Sequence, residues 1–324
     1  MTSEASLPAR KAAWTDYWAS GALHSCPGSY AGNYGGAIGA YWDRHVASLP
    51  EGARILDIAT GNGALPLRIL ERHGDGVEID AIDLAQPVPE WYRPERHPRI
   101  RFHGGVDMAA TRFRQGRFDA VCSQFGIEYG GRPAALDEAL RVLRPDGRLL
   151  LVVHHAASEL LAVARAEADA HAWLVAEGGL LASAARMVHW LRVARSGQAL
   201  PPEAGEQRQR YNLQVRELGA RHGDGRARGL AIDVVQAVHG MLSNAGQGRA
   251  DEAEVALAGY RRALANAQLR RQELLAHALS AEDVHAWLQR IERAMPTATV
   301  RSRELRQQEG VLAWALEAGT GLPD

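Results

Sequence analysis

Residues 54–70 read RILDIATGNGALPLRIL, and the way this stretch divides decides the fold. The apolar run Ile55-Leu56-Asp57-Ile58 is long enough for a buried strand and too short for a helix. Ala59-Thr60-Gly61-Asn62-Gly63 forms a tight turn. The apolar spacing then becomes helical at Leu65, Leu67 and Leu70, with Pro66 in a first turn that tolerates proline. Strand, glycine turn and helix in this order predict a nucleotide cradle. The glycines let the backbone come close to a ligand, and the helix start offers unpaired N–H groups.

The glycine pattern narrows the nucleotide. A dinucleotide fingerprint needs a small third residue where Pro66 stands, for close helix–strand packing. An acid instead sits in the strand end, giving Asp57-x-x-x-Gly61-x-Gly63. This pattern resembles the first motif of class I S-adenosylmethionine (SAM) dependent methyltransferases. The resemblance implies that Asp57, Ala59, Gly61 and Gly63 wrap the methionine part of SAM, although the usual pattern has glycine where Ala59 stands. A dehydrogenase turn and an ordinary α/β turn are the competing readings of the motif alone.

The following motifs keep the family's order. Val77 to Leu84 is an alternating strand ending in Asp83, placed to accept from both ribose hydroxyls, and the resemblance implies that Leu84 packs against the adenine. Asp80 points to the other face. A third strand, Ile100 to His103, leads to Asp107-Met108, where the resemblance implies contacts to the adenine amino group and ring. Phe118-Asp119 opens a fourth strand, with Asp119 capping its start. Gln124, Phe125, Glu128 and Tyr129 stand beyond its carboxyl end, on the side where ligands bind an open parallel sheet. By resemblance Gln124 and Phe125 border the sulfonium, and Glu128 and Tyr129 border the methyl acceptor. A helix from Ala134 to Val142 precedes the turn Leu143-Arg-Pro145-Asp146-Gly147 and a fifth strand ending in His154-His155. His154 is the first candidate for a general base, with Glu128 and Tyr129 beside it. The loop after the fourth strand lacks the Asn/Asp-Pro-Pro-aromatic tetrapeptide of amino methyltransferases that act on adenine or glutamine, which argues against a nucleic-acid adenine substrate.

Ahead of the cradle, residues 9–20 predict a short helix with Trp14, Tyr17 and Trp18. A loop follows, HSCPGSYAGNYGGAIGAYW, containing Tyr30, Tyr34, Tyr41 and Trp42. Rings among glycines suit a pocket lid, with Tyr34 toward the cofactor and Tyr30 toward the acceptor. From Ala156 to Leu279 the pattern is helical, with helices near 157–176, 178–195, 204–220, 228–244 and 250–279. Ser280 to Asp283 reads as a capped helix start, and Thr297–Leu305 and Gly310–Leu316 read as strands.

These pieces predict an α/β fold: a Rossmann-like, mainly parallel seven-stranded sheet with a large all-helical insertion between the fifth strand and the last helix. Four regions are expected. They are an aromatic lid segment (1–49), a SAM-binding core (50–155), a helical cap or dimerisation region (156–279), and a closing helix with an antiparallel strand pair (280–324). The chain has 324 residues, a formal net charge of −1 and 46% hydrophobic residues, so no global field draws it to nucleic acid or an anionic membrane. Lys11 is its only lysine. Cys26 and Cys122 are too few for a disulfide framework, no ligand cluster suggests a metal, and no signal peptide or membrane span is evident, so a cytoplasmic location is expected. The functional expectation is a SAM-dependent enzyme, with S-adenosylhomocysteine as product, acting on an oxygen, nitrogen or carbon of a small acceptor. Its alternatives are a protein or RNA methyltransferase and a non-catalytic SAM-binding dimeric module.

Overall fold

The computed structural model describes residues 6–26, 30–131, 133–308 and 310–323. The chain divides into two compact units: Met1–Glu159 with Ala276–Asp324, and Leu160–Leu275. The first holds a seven-stranded sheet built from β1 (Arg54–Ile58), β2 (Glu78–Asp83), β3 (Ile100–Gly104), β4 (Phe118–Gln124), β5 (Leu143–His154), β6 (Thr299–Gln307) and β7 (Gly310–Gly319). The strand order is β3-β2-β1-β4-β5-β7-β6. β1 to β5 run parallel, whereas β7 lies antiparallel to β5 and β6, so the sheet is mixed. The parallel strands read as near-continuous apolar runs because both faces are covered. One face packs Ile55, Ile79, Ala120 and Leu150, and the other Leu56, Ile82, Val121 and Leu151.

The order reverses between β1 and β4, and such a switch point leaves a crevice at the carboxyl ends of the strands. Helices α1 (Leu7–Trp18), α2 (Gly36–Ala47), α3 (Ala64–His73) and α4 (Ala134–Val142) belong to this unit, as does α10 (Ala281–Ala294). Ser280 and Asp283 form a reciprocal capping box at the start of α10, which buries Val284, Trp287 and Ile291. Asp119 ties the lower edge: its Oδ2 accepts from Arg54 N at 2.8 Å and its Oδ1 from Arg144 Nη1 at 2.9 Å.

Two local expectations are corrected. The predicted loop from His24 to Trp42 contains helix α2, and Tyr41 and Trp42 lie in the core at 2% and 1% exposure. Ile38, Tyr41, Trp42 and Val46 give that helix a buried face, so tertiary packing overrides the glycines' poor helix propensity. Leu143-Arg-Pro-Asp-Gly147 is also not a turn outside the sheet. It opens β5, and a register shift opposite Phe118 and Ala120 absorbs the extra residues as a bulge.

The second unit holds α6 (Leu180–Arg195), α7 (Pro202–His222), α8 (Arg228–Gly246) and most of α5 (Glu159–Val175) and α9 (Ala250–His277). Its own core joins Leu174, Leu181, Leu218, Val234 and Leu257. No helix among the described residues is long and apolar enough to cross a membrane.

Candidate functional site

A cavity opens at the carboxyl ends of β1, β2 and β4. Its strand-tip wall carries Asp57, Ala59, Thr60, Asp83, Leu84, Gln124 and Phe125, with Met108 and Tyr129 adjoining. Sequence motifs spread over residues 57–129 therefore meet in one place. Asp57 is 2% exposed, and burial, with the Asp83 charge adding to it, pushes its carboxyl up to about 7. Burial also raises Asp83, partly offset by two backbone donors: Gly61 N to Oδ2 and Ala85 N to Oδ1, each at 2.8 Å. Each carboxylate oxygen has two lone pairs, so Asp83 fixes the glycine turn and keeps acceptor capacity for ligand hydroxyls. A pair of desolvated carboxylates calls for a ligand that brings positive charge and hydroxyl donors.

The turn itself is tightly enclosed. Gly61 has φ +54°, and a Cβ there would fall 2.5 Å from the Trp18 ring of α1. Ala59 also adopts a left-handed conformation, at φ +57°, where the family pattern has glycine. Asn62, 2% exposed, donates through Nδ2 to the carbonyls of Trp18 and Ala22 and accepts from Val88 N. The N-terminal segment thereby forms the second wall, with Arg10, Trp14, Trp18, His24 and Tyr34 lining it. Tyr34 and His24 stack at 4.1 Å, and Phe125 meets Tyr34 edge-on at 6.5 Å. Burial lowers the His24 pKa below its ordinary value, which keeps the ring neutral near pH 7.

Other sequence candidates lie further out. His154 and Glu128 are buried behind Phe125 and are not among the cavity-lining residues. Glu128 Oε1 accepts from His154 N at 2.9 Å and lies 2.7 Å from Nδ1, while the His154 ring stacks on Phe125 at 4.2 Å. Tyr129 lines the cavity and places its hydroxyl 3.4 Å from His154 Nδ1. Asp107 is exposed, accepts from Ala109 N, and lines a neighbouring groove that shares Arg10, Leu84, Met108 and Tyr129 with the cavity. Tyr30 is 73% exposed and bonds to Ser20, away from the lining residues. Among the described residues no group of three or more His, Cys, Asp or Glu side chains could hold a metal. Sequence reading missed Arg10, Trp18 and His24, which reach the cavity through the path of the N-terminal segment rather than through any motif.

Known proteins resemble the chain over the stretch that carries the glycine turn. Residues 55–147 match the family model described as a methyltransferase domain. The chain is 40% identical over 103 residues to the demethylmenaquinone methyltransferase of Thermus thermophilus, which covers 31% of this chain and 46% of that protein. It is 38% identical over 106 residues to the ubiquinone/menaquinone biosynthesis C-methyltransferase UbiE of Ruegeria sp., covering 31% and 42% respectively. The chain thus spans less than half the length of these curated relatives. Among solved structures, the 1,6-didemethyltoxoflavin-N1-methyltransferase of Burkholderia thailandensis is 22% identical with a TM-score of 0.37, covering 47% of this chain and 65% of that one. The stretch in which the chain is similar to the methyltransferase domain family, residues 55–147, carries the glycine turn and the acid-tipped strands.

Proposed function

We propose that the chain is a SAM-dependent methyltransferase acting on a small organic molecule. The observation that carries this reading is the convergence of two buried carboxylates, Asp57 and Asp83, on a cavity beside a left-handed glycine turn. The donor set fits SAM: carboxylates for its ammonium and ribose hydroxyls, and apolar Leu84 and Met108 for its adenine. When bound, SAM supplies a sulfonium methyl open to direct displacement. Asp57 would hold the amino end and Asp83 the ribose, with Asp107 at the adenine rim and Gln124 and Phe125 closing the methionine end. Tyr34, His24 and Tyr129 would flank the acceptor and exclude water, so that an oxygen, nitrogen or carbon is held in line with the methyl group. Glu128 would fix His154 behind Phe125, and Phe125 would then present a rigid face to the reacting groups.

A small acceptor is supported by the enclosing ring wall and by the activities named for the relatives. The helical unit would serve self-association, to be read from the mass of the full chain in light scattering. The primary test is calorimetry with S-adenosylhomocysteine, followed by labelled SAM incubated with extracts and resolved by mass. Micromolar binding and a labelled small product are the expected results; no heat with SAM or its product removes the proposal.

A further inference from the structure

β3 is the outermost strand of the sheet, with β2 on one side, and the chain around it is charged unlike the rest. Residues 93–117 hold seven arginines against two acids, Glu95 and Asp107, in a chain whose net charge is −1. Arg93, Arg96, Arg99, Arg101, Arg112 and Arg114 are exposed. Glu78 is shared by Arg99 at 3.5 Å and Arg101 at 3.9 Å, one carboxylate for two guanidinium groups. Among the described residues Arg96, Arg112 and Arg114 have no ion-pair partner.

The cluster is fastened to the fold. Asp80 of β2, 5% exposed, lies 2.8 Å from His103 Nε2 and accepts from Arg117 Nη2 at 2.7 Å. Phe113 meets His103 edge-on at 5.8 Å and lies under the Arg117 guanidinium at 5.1 Å. The segment carrying Arg112 and Arg114 is thereby held beside Arg99 and Arg101, which share His103's side of the pleated strand. The surface ends at the cavity rim: Gly104 is the register partner of Asp83, and a Cβ on Gly105 would lie 3.2 Å from Lys11 Nζ of α1.

The chemistry of this surface selects among anionic partners. An added strand meets a blocked edge, because the Ile100 N–H donates to the His97 carbonyl at 3.1 Å and the Ile100 carbonyl accepts from the Tyr92 hydroxyl at 2.7 Å. A single-stranded nucleic acid needs free ring faces for its bases. The rings here are spent: Tyr92 packs on Phe102 and His97, Trp91 on Phe102, and Phe113 beneath Arg117. What is left is a row of guanidinium forks, which match carboxylates two bonds at a time. Arg99 and Arg101, about 7 Å apart along the pleat, suit carboxylates one turn apart on a helix.

We propose that the β3 edge is a docking surface for an acidic protein, which sets the carboxylates of one helix face against Arg99, Arg101, Arg112 and Arg114 and stands at the cavity mouth. The proposal is independent of what the cavity binds. It is tested on the full chain by fluorescence anisotropy with a labelled helical peptide carrying glutamates at i, i+4 spacing, and with a labelled uridine oligonucleotide of equal charge. The peptide should bind, and its affinity should fall as salt rises from about 50 to 300 mM. Arg99→Glu with Arg101→Glu should weaken it about tenfold or more, and Arg114→Glu alone about threefold. Arg208→Glu with Arg210→Glu makes the same charge change at two exposed positions of α7, and should leave the peptide within about twofold. Should the strand variant melt early, Arg114→Glu, outside the sheet, carries the test. No peptide binding, equal weakening by the α7 pair, or tighter binding of the oligonucleotide overturns the proposal, the last in favour of nucleic acid.

Discussion

The two walls of the cavity are held in different ways. The strand-tip wall is fixed by the ladders of β1, β2 and β4, so Asp57, Asp83 and Gln124 occupy positions that backbone pairing dictates. The N-terminal wall has no ladder. It is tied by the two Asn62 donations, by Arg10 to the Tyr129 carbonyl, and by the Gln86 N–H to the Thr15 hydroxyl at 3.2 Å. One wall is pre-organised by the fold; the other is held by side-chain bonds such as these and by rings packed along α1. Segments of the second kind open locally at low cost, which suits a wall that must admit a ligand.

The largest effect is expected where the walls touch. Gly61→Val would place a branched side chain at φ +54° and into the Trp18 ring. Strain plus overpacking should cost about 3 kcal/mol or more and abolish S-adenosylhomocysteine binding. Retained affinity in calorimetry would mean that the turn is not the ligand's seat.

Next comes the charge on the strand-tip wall. Asp57→Asn should weaken S-adenosylhomocysteine by about 1.5–3 kcal/mol, the scale of a hydrogen bond to a charged group. The unliganded carboxyl titrates near 7, so at lower pH it is protonated and must release its proton to meet an ammonium. Affinity should therefore rise as pH increases from 5.5 to about 8 and level off above, and the asparagine variant should lose that slope. The same raised carboxyl makes the free protein less stable as pH rises from about 4 to 7, because the unfolded chain gives up this proton first. A slope that persists in Asp57→Asn assigns the titration to another group.

The contrast also explains what could be read from sequence. Asp57, Gly61, Gly63 and Asp83 were legible because strand ends and tight turns restrict residue type locally, and parallel strands in a switch-point sheet bring such ends together. The helices of 157–277 were legible as helices for the same local reason. His24 and Trp18 were not legible, since their place depends on how a segment without periodicity folds back over the turn. Trp42 was read as part of a loop because glycine-rich sequence masks a helix that only packing stabilises. Its partner Gln124 was legible as a strand-tip residue, but the direction of its amide exists only once Trp42 is in place.

A smaller effect should separate the walls. Asn62→Ala removes both donations to the N-terminal segment and leaves every ladder intact. Affinity for S-adenosylhomocysteine should fall by only about 1 kcal/mol. Opening of α1 should rise several-fold, as read by a lysine-specific protease, because Lys11 on that helix is the only lysine in the chain. The product is a single cut detectable by mass, and bound S-adenosylhomocysteine should slow it. Cleavage at the unaltered rate would show that Asn62 does not hold the wall.

The smallest effect belongs to Ala59, and it probes the strand-tip wall alone. A non-glycine residue in the left-handed region costs about 1–2 kcal/mol, so Ala59→Gly relieves strain at φ +57°. Glycine also loosens the unfolded chain by about 0.4–1 kcal/mol, so the net gain in stability should stay below about 1 kcal/mol, with ligand affinity unchanged. The space facing Ala59 supplies the sharper version. A Cβ at Gly126 would lie 2.3 Å from the Ala59 methyl, so the two positions share room for one methyl group. Gly126→Ala should therefore be destabilising by itself and tolerated in the Ala59→Gly background, a coupling measurable by a double-mutant cycle in thermal denaturation. Additive effects would mean that Ala59 is held in its left-handed conformation by the turn alone, without help from the glycine opposite.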